Sequence, residues 1–185
     1  MCGIAGRINF NNKQVYLSEL KRMSTSIAHR GPDDEGLYIS PNKNIGLVNR
    51  RLAIIDLSKR GHQPMGYKGR VITFNGEIYN FQQEREKLKK LGYRFKSDTD
   101  TEVILALYDK YGTKCLTHLR GMFAFAIYDP KQKTIFLARD RIGKKPLKYF
   151  FNNEVFIFAS ELKAILTQKE IEKMPDYLAI HHYLT

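Results

Sequence analysis

The first third of the chain alternates between strand-like and helix-like patterns of apolar positions. Residues 2–10 alternate apolar and polar as a β-strand does, and Asn11-Asn12 predicts a turn after them. Apolar positions near helical spacing then predict a helix over 18–29, which stops at Gly31-Pro32. Residues 37–40 and 45–55 predict a pair of strands, and residues 56–69 predict a loop.

The middle third predicts a short strand, two helices and a further strand. Residues 71–74 form a buried apolar run that ends at Asn75-Gly76, a pair we expect to adopt positive φ and to leave the strand sharply. A helix is predicted over 77–91 because its start is acidic and its end is basic. Residues 93–97 alternate as a strand, and 98–101 offer N-cap side chains to the next helix.

The last third consists mainly of paired strand patterns. A short helix over 115–120 precedes them, and Ser160 is expected to cap a last helix over 161–166. The strands predicted in this part are 122–128 with 133–138, and 147–151 with 154–159. Strands, then helices, then strands again indicate an α+β layered architecture and not a doubly wound βαβ sheet.

Length and cysteine content narrow the class of protein. A chain of 185 residues is expected to fold as one domain with two packed layers. Cys2 and Cys115 are too few for a disulfide framework, which suits a reducing compartment. Polar residues such as Arg7 and Asn9 interrupt any signal-peptide core, and no window is apolar enough to span a bilayer. We therefore expect a cytoplasmic protein with no membrane partner.

The chain is strongly basic, with a formal net charge of +12 and a pI near 9.7. Such a charge permits binding to nucleic acid, but the basic residues are dispersed and no recognised nucleic-acid module accompanies them. We interpret them as a solvated surface and expect no nucleic-acid partner. A catalytically silent basic binding module stays open as an alternative from another class.

The residue after the initiator methionine is the first candidate for chemistry. Cysteine is small enough for an aminopeptidase to remove Met1, which would make Cys2 the mature N-terminus. Its α-amine, with a pKa of about 7.7–8.0, could then accept the thiol proton directly or through one water. A nucleophile with its own base needs no histidine, so His29 and His62 are expected to order loops.

A nucleophile that attacks a carbonyl also needs donors for the oxyanion. An Asn amide beside a glycine N–H supplies such a pair, and Asn75-Gly76 has that composition. For a substrate that carries both a carboxylate and an ammonium group, Arg51 and Asp100 are candidate partners, because arginine pairs bidentately with carboxylates.

Eight motifs, in the same order, resemble the N-terminal glutaminase domain of glutamine-hydrolysing asparagine synthetases. The resemblance covers essentially the whole chain. The motifs are Cys2-Gly3-Ile4, His29-Arg30-Gly31-Pro32-Asp33, Arg51-Leu52-Ala53-Ile54-Ile55-Asp56, Gly61-His62-Gln63-Pro64-Met65, Phe74-Asn75-Gly76-Glu77-Ile78-Tyr79-Asn80, Ser97-Asp98-Thr99-Asp100-Thr101-Glu102, Met122-Phe123-Ala124-Phe125-Ala126 and Phe158-Ala159-Ser160-Glu161-Leu162-Lys163.

The resemblance implies a class II glutamine amidotransferase of the N-terminal-nucleophile hydrolase fold, a four-layer αββα sandwich of two antiparallel sheets. In that family pattern Cys2 is the nucleophile, Asn75 and Gly76 form the oxyanion hole, Arg51 binds the glutamine α-carboxylate and Asp100 its α-ammonium. The glutamine pocket further includes Leu52, Ile54, Ile55 and Glu77. No metal and no cofactor are implied for this half of the reaction.

The resemblance also implies a second domain. In the family a synthetase domain that uses ATP and Mg²⁺ follows, so we expect residues 1–167 to be the glutaminase domain and 168–185 a linker and the start of the synthetase domain. Glutamine and that domain are the expected partners; a homodimer is left open, as is an amidotransferase with another acceptor. Positions 142, 144 and 148 depart from the usual pattern, which puts contacts with the second domain in doubt.

Overall fold

The computed structural model describes residues 1–11 and 13–185. The predicted turn at Asn11-Asn12 therefore falls partly outside the described residues. The described strands form two antiparallel sheets, and helices cover the outer face of each sheet. The predicted α+β layering is confirmed as a four-layer αββα sandwich.

The first sheet has five strands in the order β2-β3-β1-β9-β8. The N-terminal strand β1 lies at its centre and pairs with β3 on one side and β9 on the other, so the residue that precedes β1 is held from both sides. The strands are β1 Gly3–Asn9, β2 Asp34–Ile39, β3 Ile45–Arg51, β8 Lys148–Phe151 and β9 Val155–Ala159.

The second sheet has four strands in the order β4-β5-β6-β7. These are β4 Met65–Tyr67, β5 Arg70–Ile78, β6 Gly121–Asp129 and β7 Thr134–Arg139. The two sheets pack through apolar side chains such as Ile4 and Leu47 from the first and Ala124 from the second. Alternation along each strand sends the remaining side chains to the helical layers.

Helices α1 Leu17–Ser26 and α4 Leu162–Ile165 cover the first sheet, whereas α2 Phe81–Lys90 and α3 Asp100–Tyr111 cover the second. The predicted helix over 18–29 ends at Ser26 and is followed by a 3₁₀ turn at Ala28–Arg30. The predicted helix over 115–120 is a 3₁₀ segment at Gly112–His118. The last helix, α5 Tyr177–Leu184, has no buried residue.

The prediction that the chain leaves a strand at Asn75-Gly76 is wrong. Strand β5 continues to Ile78, with Asn75 opposite Ala124 and Gly76 opposite Phe123, and the helix predicted from residue 77 begins only at Phe81. Gly76 does not have positive φ; a Cβ there would lie 2.3 Å from the carbonyl oxygen of Met122. The neighbouring strand, and not a turn, explains this glycine.

The predicted strand over 93–97 is also absent, because its amides bind a side chain. The backbone N–H groups of Lys96 and Ser97 donate to the Glu102 carboxylate at 2.8–3.1 Å. Within the predicted loop 56–69 the structure instead forms β4, and the strand predicted over 45–55 ends at Arg51. Helix α3 begins as expected, with the Thr99 hydroxyl accepting from the Glu102 amide at 3.2 Å.

The segment after residue 167 is attached to the first sheet. Arg7, which is 3% exposed, donates to Gln168 Oε1 at 3.0 Å and to both carboxylate oxygens of Glu170. Ser160 does not cap α4; its hydroxyl accepts from the Ile4 amide at 3.0 Å, and Glu161 is the N-cap residue. Over the described residues, no helix is long and apolar enough to cross a membrane.

Candidate active site

A cavity of about 120 Å³ lies at the N-terminal end of β1, between the ends of β3 and β5 and the start of α3. It collects every residue that the sequence proposed for chemistry or binding. These are Cys2, Arg51, Leu52, Ile54, Ile55, Asn75, Gly76, Glu77 and Asp100. Residues up to 98 positions apart in the chain thus share one site.

The thiol of Cys2 lies against the backbone of Leu52. The Leu52 N–H donates to Cys2 Sγ at 3.4 Å, and the thiol faces the Leu52 carbonyl oxygen at 3.6 Å. Burial raises the pKa of the Cys2 thiol, whereas the Leu52 amide acts in the opposite direction. Arg30 holds the residue from the other side, because its Nε donates to the Cys2 carbonyl oxygen at 3.0 Å.

Asn75 presents a buried side-chain amide nitrogen, Nδ2, to the cavity. The residue is 1% exposed, and its Nδ2 finds no acceptor among the described residues although the side chain lines the cavity. An orphaned buried donor costs about 1–3 kcal/mol, so it calls for an explanation. An oxyanion formed in the cavity would supply the missing acceptor.

The backbone amide of Gly76 points into the same cavity. Alternate N–H groups of a strand point to the same side, so the amides of Phe74, Gly76 and Ile78 share one edge of β5. The Phe74 amide donates to Gln63 Oε1 at 2.7 Å and the Ile78 amide to Asp100 Oδ2 at 3.0 Å. The Gly76 amide lies between them, beside Asn75, where the cavity opens.

Arg51 ends β3 and turns its guanidinium under the loop that follows. Nη2 donates to the carbonyl oxygens of Ile55, at 3.0 Å, and Asp56, while Nη1 donates to that of Ser58 at 3.4 Å. Gly61 makes room for the group, since a Cβ there would lie 2.1 Å from Nη2. A buried cation therefore lies at the wall of the cavity under loop 52–61.

Asp100 supplies a carboxylate to the cavity wall, at the first position of α3. It is 5% exposed, and burial raises the pKa of its carboxyl to about 6, although the hydrogen bond from the Ile78 amide lowers it. Neutral and charged forms are thus both accessible near physiological pH. A ligand ammonium beside Asp100 would favour the charged form.

Sequence reasoning missed four polar residues that line the cavity, namely Gln63, Thr99, Thr101 and Lys145. Gln63 and the two threonines lie inside the motifs that carry the resemblance, whereas Lys145 lies among positions 142, 144 and 148, which depart from the family pattern. His29 and His62 do not line the cavity. They bind Glu161 at 3.0 Å and Asp34 at 2.7 Å, which agrees with the loop-ordering interpretation.

The fold is that of N-terminal-nucleophile hydrolases, an αββα sandwich with a cysteine directly before the central strand of its first sheet. The profile of the glutamine amidotransferase domain matches residues 1–185. The chain belongs to this family. It is 47% identical over 94% of its length to a candidate glutamine-hydrolysing asparagine synthetase 2 of Methanocaldococcus jannaschii, of which it covers 36%.

Other relatives agree with this assignment. The chain is 40% identical over its whole length to glutamine-hydrolysing asparagine synthetase 1 of Bacillus subtilis, of which it covers 29%. It thus spans about a third of the length of these relatives. The structure of glutamine phosphoribosylpyrophosphate amidotransferase from B. subtilis has the same fold, with a TM-score of 0.74 at 19% identity over 90% of this chain and 43% of that one.

Proposed function

We propose that this chain hydrolyses the side-chain amide of glutamine to glutamate and ammonia through a thioester at Cys2. The observation that carries the proposal is the unpaired Nδ2 of Asn75 beside the outward amide of Gly76, in the cavity that holds the thiol. Two donors directed at the cavity, next to a nucleophile, are suited to a tetrahedral oxyanion.

The reaction begins once Met1 has been removed. The free α-amine of Cys2 accepts the thiol proton, and the thiolate attacks the amide carbon of glutamine. Negative charge then develops on the amide oxygen, which accepts hydrogen bonds from Asn75 Nδ2 and the Gly76 N–H. The ammonium formed from the amine returns its proton to the leaving nitrogen, so ammonia departs and a thioester remains. Water attacks the thioester, with the amine again as base, and releases glutamate.

Two charged walls select free glutamine. Arg51 lies where it can pair with the α-carboxylate, and Asp100 where it can accept from the α-ammonium. The side-chain amide of a glutamine held at both ends would extend toward Cys2. Leu52, Ile54 and Ile55 cover the aliphatic part, and Glu77 adds a polar group at the wall.

The names of the relatives support asparagine synthesis as the use of the ammonia. Both are described as glutamine-hydrolysing asparagine synthetases, and this chain corresponds to about a third of each. We infer that residues 1–185 supply ammonia to a second, ATP-dependent domain that converts aspartate into asparagine. Glutamine and that domain are the proposed partners, ATP with Mg²⁺ belongs to that domain alone, and the cytoplasm is the proposed location.

Product analysis tests the proposal. Residues 1–185, with Met1 removed as shown by mass spectrometry, should convert glutamine into glutamate and ammonia one for one. Added ATP and aspartate should change neither the rate nor the products. The Cys2→Ala variant is the matched control. Failure of the processed chain to release ammonia would overturn the glutaminase assignment. Asparagine made by these residues alone would overturn the proposal that a second domain makes it.

A further inference from the structure

The cavity contains a buried cation for which the proposed reaction has no use. Lys145 is 4% exposed and lines the cavity together with Met1 and Cys2. Its position is set by Asp140, which follows β7: the carboxylate accepts from the Lys145 amide at 3.0 Å and from the Phe123 amide at 3.2 Å. A lysine that must bury its ammonium needs a reason, because desolvation of the charge is costly.

The ammonium of Lys145 lies on the amino side of the nucleophile. Its Nζ is 2.9 Å from Met1 Sδ, and Met1 is joined directly to the nitrogen of Cys2. Bond lengths along that methionine bound the distance from Nζ to the Cys2 nitrogen at roughly 9 Å. Arg30 occupies the other side, with its Nε on the Cys2 carbonyl oxygen. Two cations therefore flank Cys2.

The charges around this point come from six segments. Cations are Arg30, after α1, and Arg51, at the end of β3; anions are Glu77 in β5, Asp100 in α3, Asp140 after β7 and Glu161 before α4, which accepts from Arg30 Nη1 at 2.8 Å. Burial and then Arg30 lower the pKa of Lys145, whereas Cys2, Glu77 and Asp140 raise it. Asp140 is bound by backbone amides, and the proposed ligand ammonium would bind Asp100. Lys145 is the cation placed where Met1 departs.

We propose that Lys145 is an electrostatic positioning residue whose ammonium keeps the α-amine of Cys2 neutral, and thus ready to accept the thiol proton. This inference rests on the proposed function. Removal of Met1 takes away the sulfur that Lys145 contacts and creates the amine in its field. A unit charge at this distance in a partly buried site shifts a pKa by about 0.5–1 unit. The base then works at a pH where an ordinary α-amine is largely protonated.

The chain permits a direct test, because cysteine occurs only at positions 2 and 115. Labelling with ¹³C-cysteine gives two sets of NMR signals, and burial raises the pKa of Cys115 to about 12, so the set that titrates near neutral pH belongs to Cys2. The Cα shift of Cys2 follows its amine. Unchanged Cys115 signals show that a variant keeps its core.

Lys145→Met should raise the midpoint of the Cys2 Cα titration by about 0.5–1 unit. Lys144→Met is the matched control, since it removes the same charge from an exposed neighbour outside the cavity and should leave the midpoint in place. Lys145→Arg should restore the wild-type midpoint. If Lys145→Met does not fold, Lys145→Gln removes the charge with a polar side chain.

The pH profile of glutamine turnover gives a second readout. In Lys145→Met the acidic limb of the kcat profile should shift to higher pH by as much as the NMR midpoint does. The variant should regain wild-type kcat above about pH 9, where the amine is neutral in both proteins. Equal Cys2 midpoints in wild type, Lys145→Met and Lys145→Gln would overturn the proposal. The NMR titration does not depend on turnover. A wild-type chain without glutaminase activity would therefore contradict the proposed function, and the effect of Lys145 on the Cys2 amine could still be measured.

Discussion

Asp100 and Ile78 join the start of α3 to the edge of β5 through a hydrogen bond of 3.0 Å between Asp100 Oδ2 and the Ile78 amide. With the bond between the Phe74 amide and Gln63, it fills the positions on either side of the Gly76 amide. The same contact leaves the Asp100 carboxylate buried at the cavity wall. This hydrogen bond therefore affects both the oxyanion donor at Gly76 and the carboxylate that would bind the ammonium of glutamine.

Asp100 gives the first prediction, which concerns pH. The pKa of its carboxyl in the free protein is about 6, so the protonated, neutral form dominates below that pH and cannot pair with an ammonium. We expect the KM for glutamine to rise as the pH falls through 6, and Asp100→Asn to have a high KM without that dependence. Steady-state assays from about pH 5 to pH 8 would measure it. A wild-type KM independent of pH over this range would contradict the role of Asp100.

The same raised pKa predicts an effect on stability. The folded pKa lies above the unfolded value of about 3.9, so the folded state binds the proton more tightly and burial of the charged form costs stability above pH 6. The contribution of Asp100 to the free energy of unfolding becomes more favourable as the pH falls from 7 towards 4. Asp100→Asn should therefore raise the free energy of unfolding at pH 7 by about 1–3 kcal/mol relative to wild type. Urea unfolding at two pH values would measure it, and a loss of stability at pH 7 would contradict it.

Cys2 gives the next prediction, because nucleophile and base reside on one residue. Cys2→Ala should abolish release of ammonia, and an extension kept ahead of Cys2 should reduce it nearly as much, since an amide nitrogen cannot accept a proton. Mass spectrometry and an ammonia assay on tagged and processed chains would compare them. Cys115→Ala is the control for loss of a buried thiol elsewhere. Substantial turnover with a blocked N-terminus would exclude the α-amine as the base.

Asn75 is expected to act on the transition state. Asn75→Ala should lower kcat by about 10²–10³ because one donor to the oxyanion is lost. Asn42→Ala, the same change at an exposed position, should have no effect on kcat. Steady-state kinetics measure kcat and KM separately, and a change confined to KM would instead make Asn75 a contact to the ground state of the substrate.

Arg51 is expected to act mainly on binding. Arg51→Ala removes the partner of the glutamine carboxylate and the three hydrogen bonds that hold carbonyl oxygens of loop 52–61, so the free energy of glutamine binding should weaken by a few kcal/mol. Titration of glutamate into the Cys2→Ala/Arg51→Ala double variant, with Cys2→Ala/Arg22→Ala as the exposed arginine control, would measure it. Equal affinities in the two would place the carboxylate elsewhere.

Short-range patterns predicted much of the fold, for local reasons. Thr99 caps α3 through an amide three residues away, and the hairpin of β6 and β7 pairs neighbours in the chain. Errors appear where a side chain or a strand just outside the segment takes the hydrogen bonds. The amides near 93–97 bind Glu102, and β4 forms in a predicted loop because Met65 lies opposite Ile72 of β5. The pattern of apolar and polar positions does not show which backbone groups a nearby side chain or strand will bind.

The sequence by itself determined which residues are available for chemistry: a cysteine able to become the N-terminus, an Asn-Gly pair, an arginine and an aspartate inside recognisable motifs. Only the tertiary structure decided how they act together. Asn75-Gly76 proved to be strand and not turn, and the Gly76 amide faces the cavity because Gln63 and Asp100 hold the amides beside it. Only the structure shows that Lys145 lies at the site. Distances between segments arise from sheet pairing and packing, which a linear pattern does not contain.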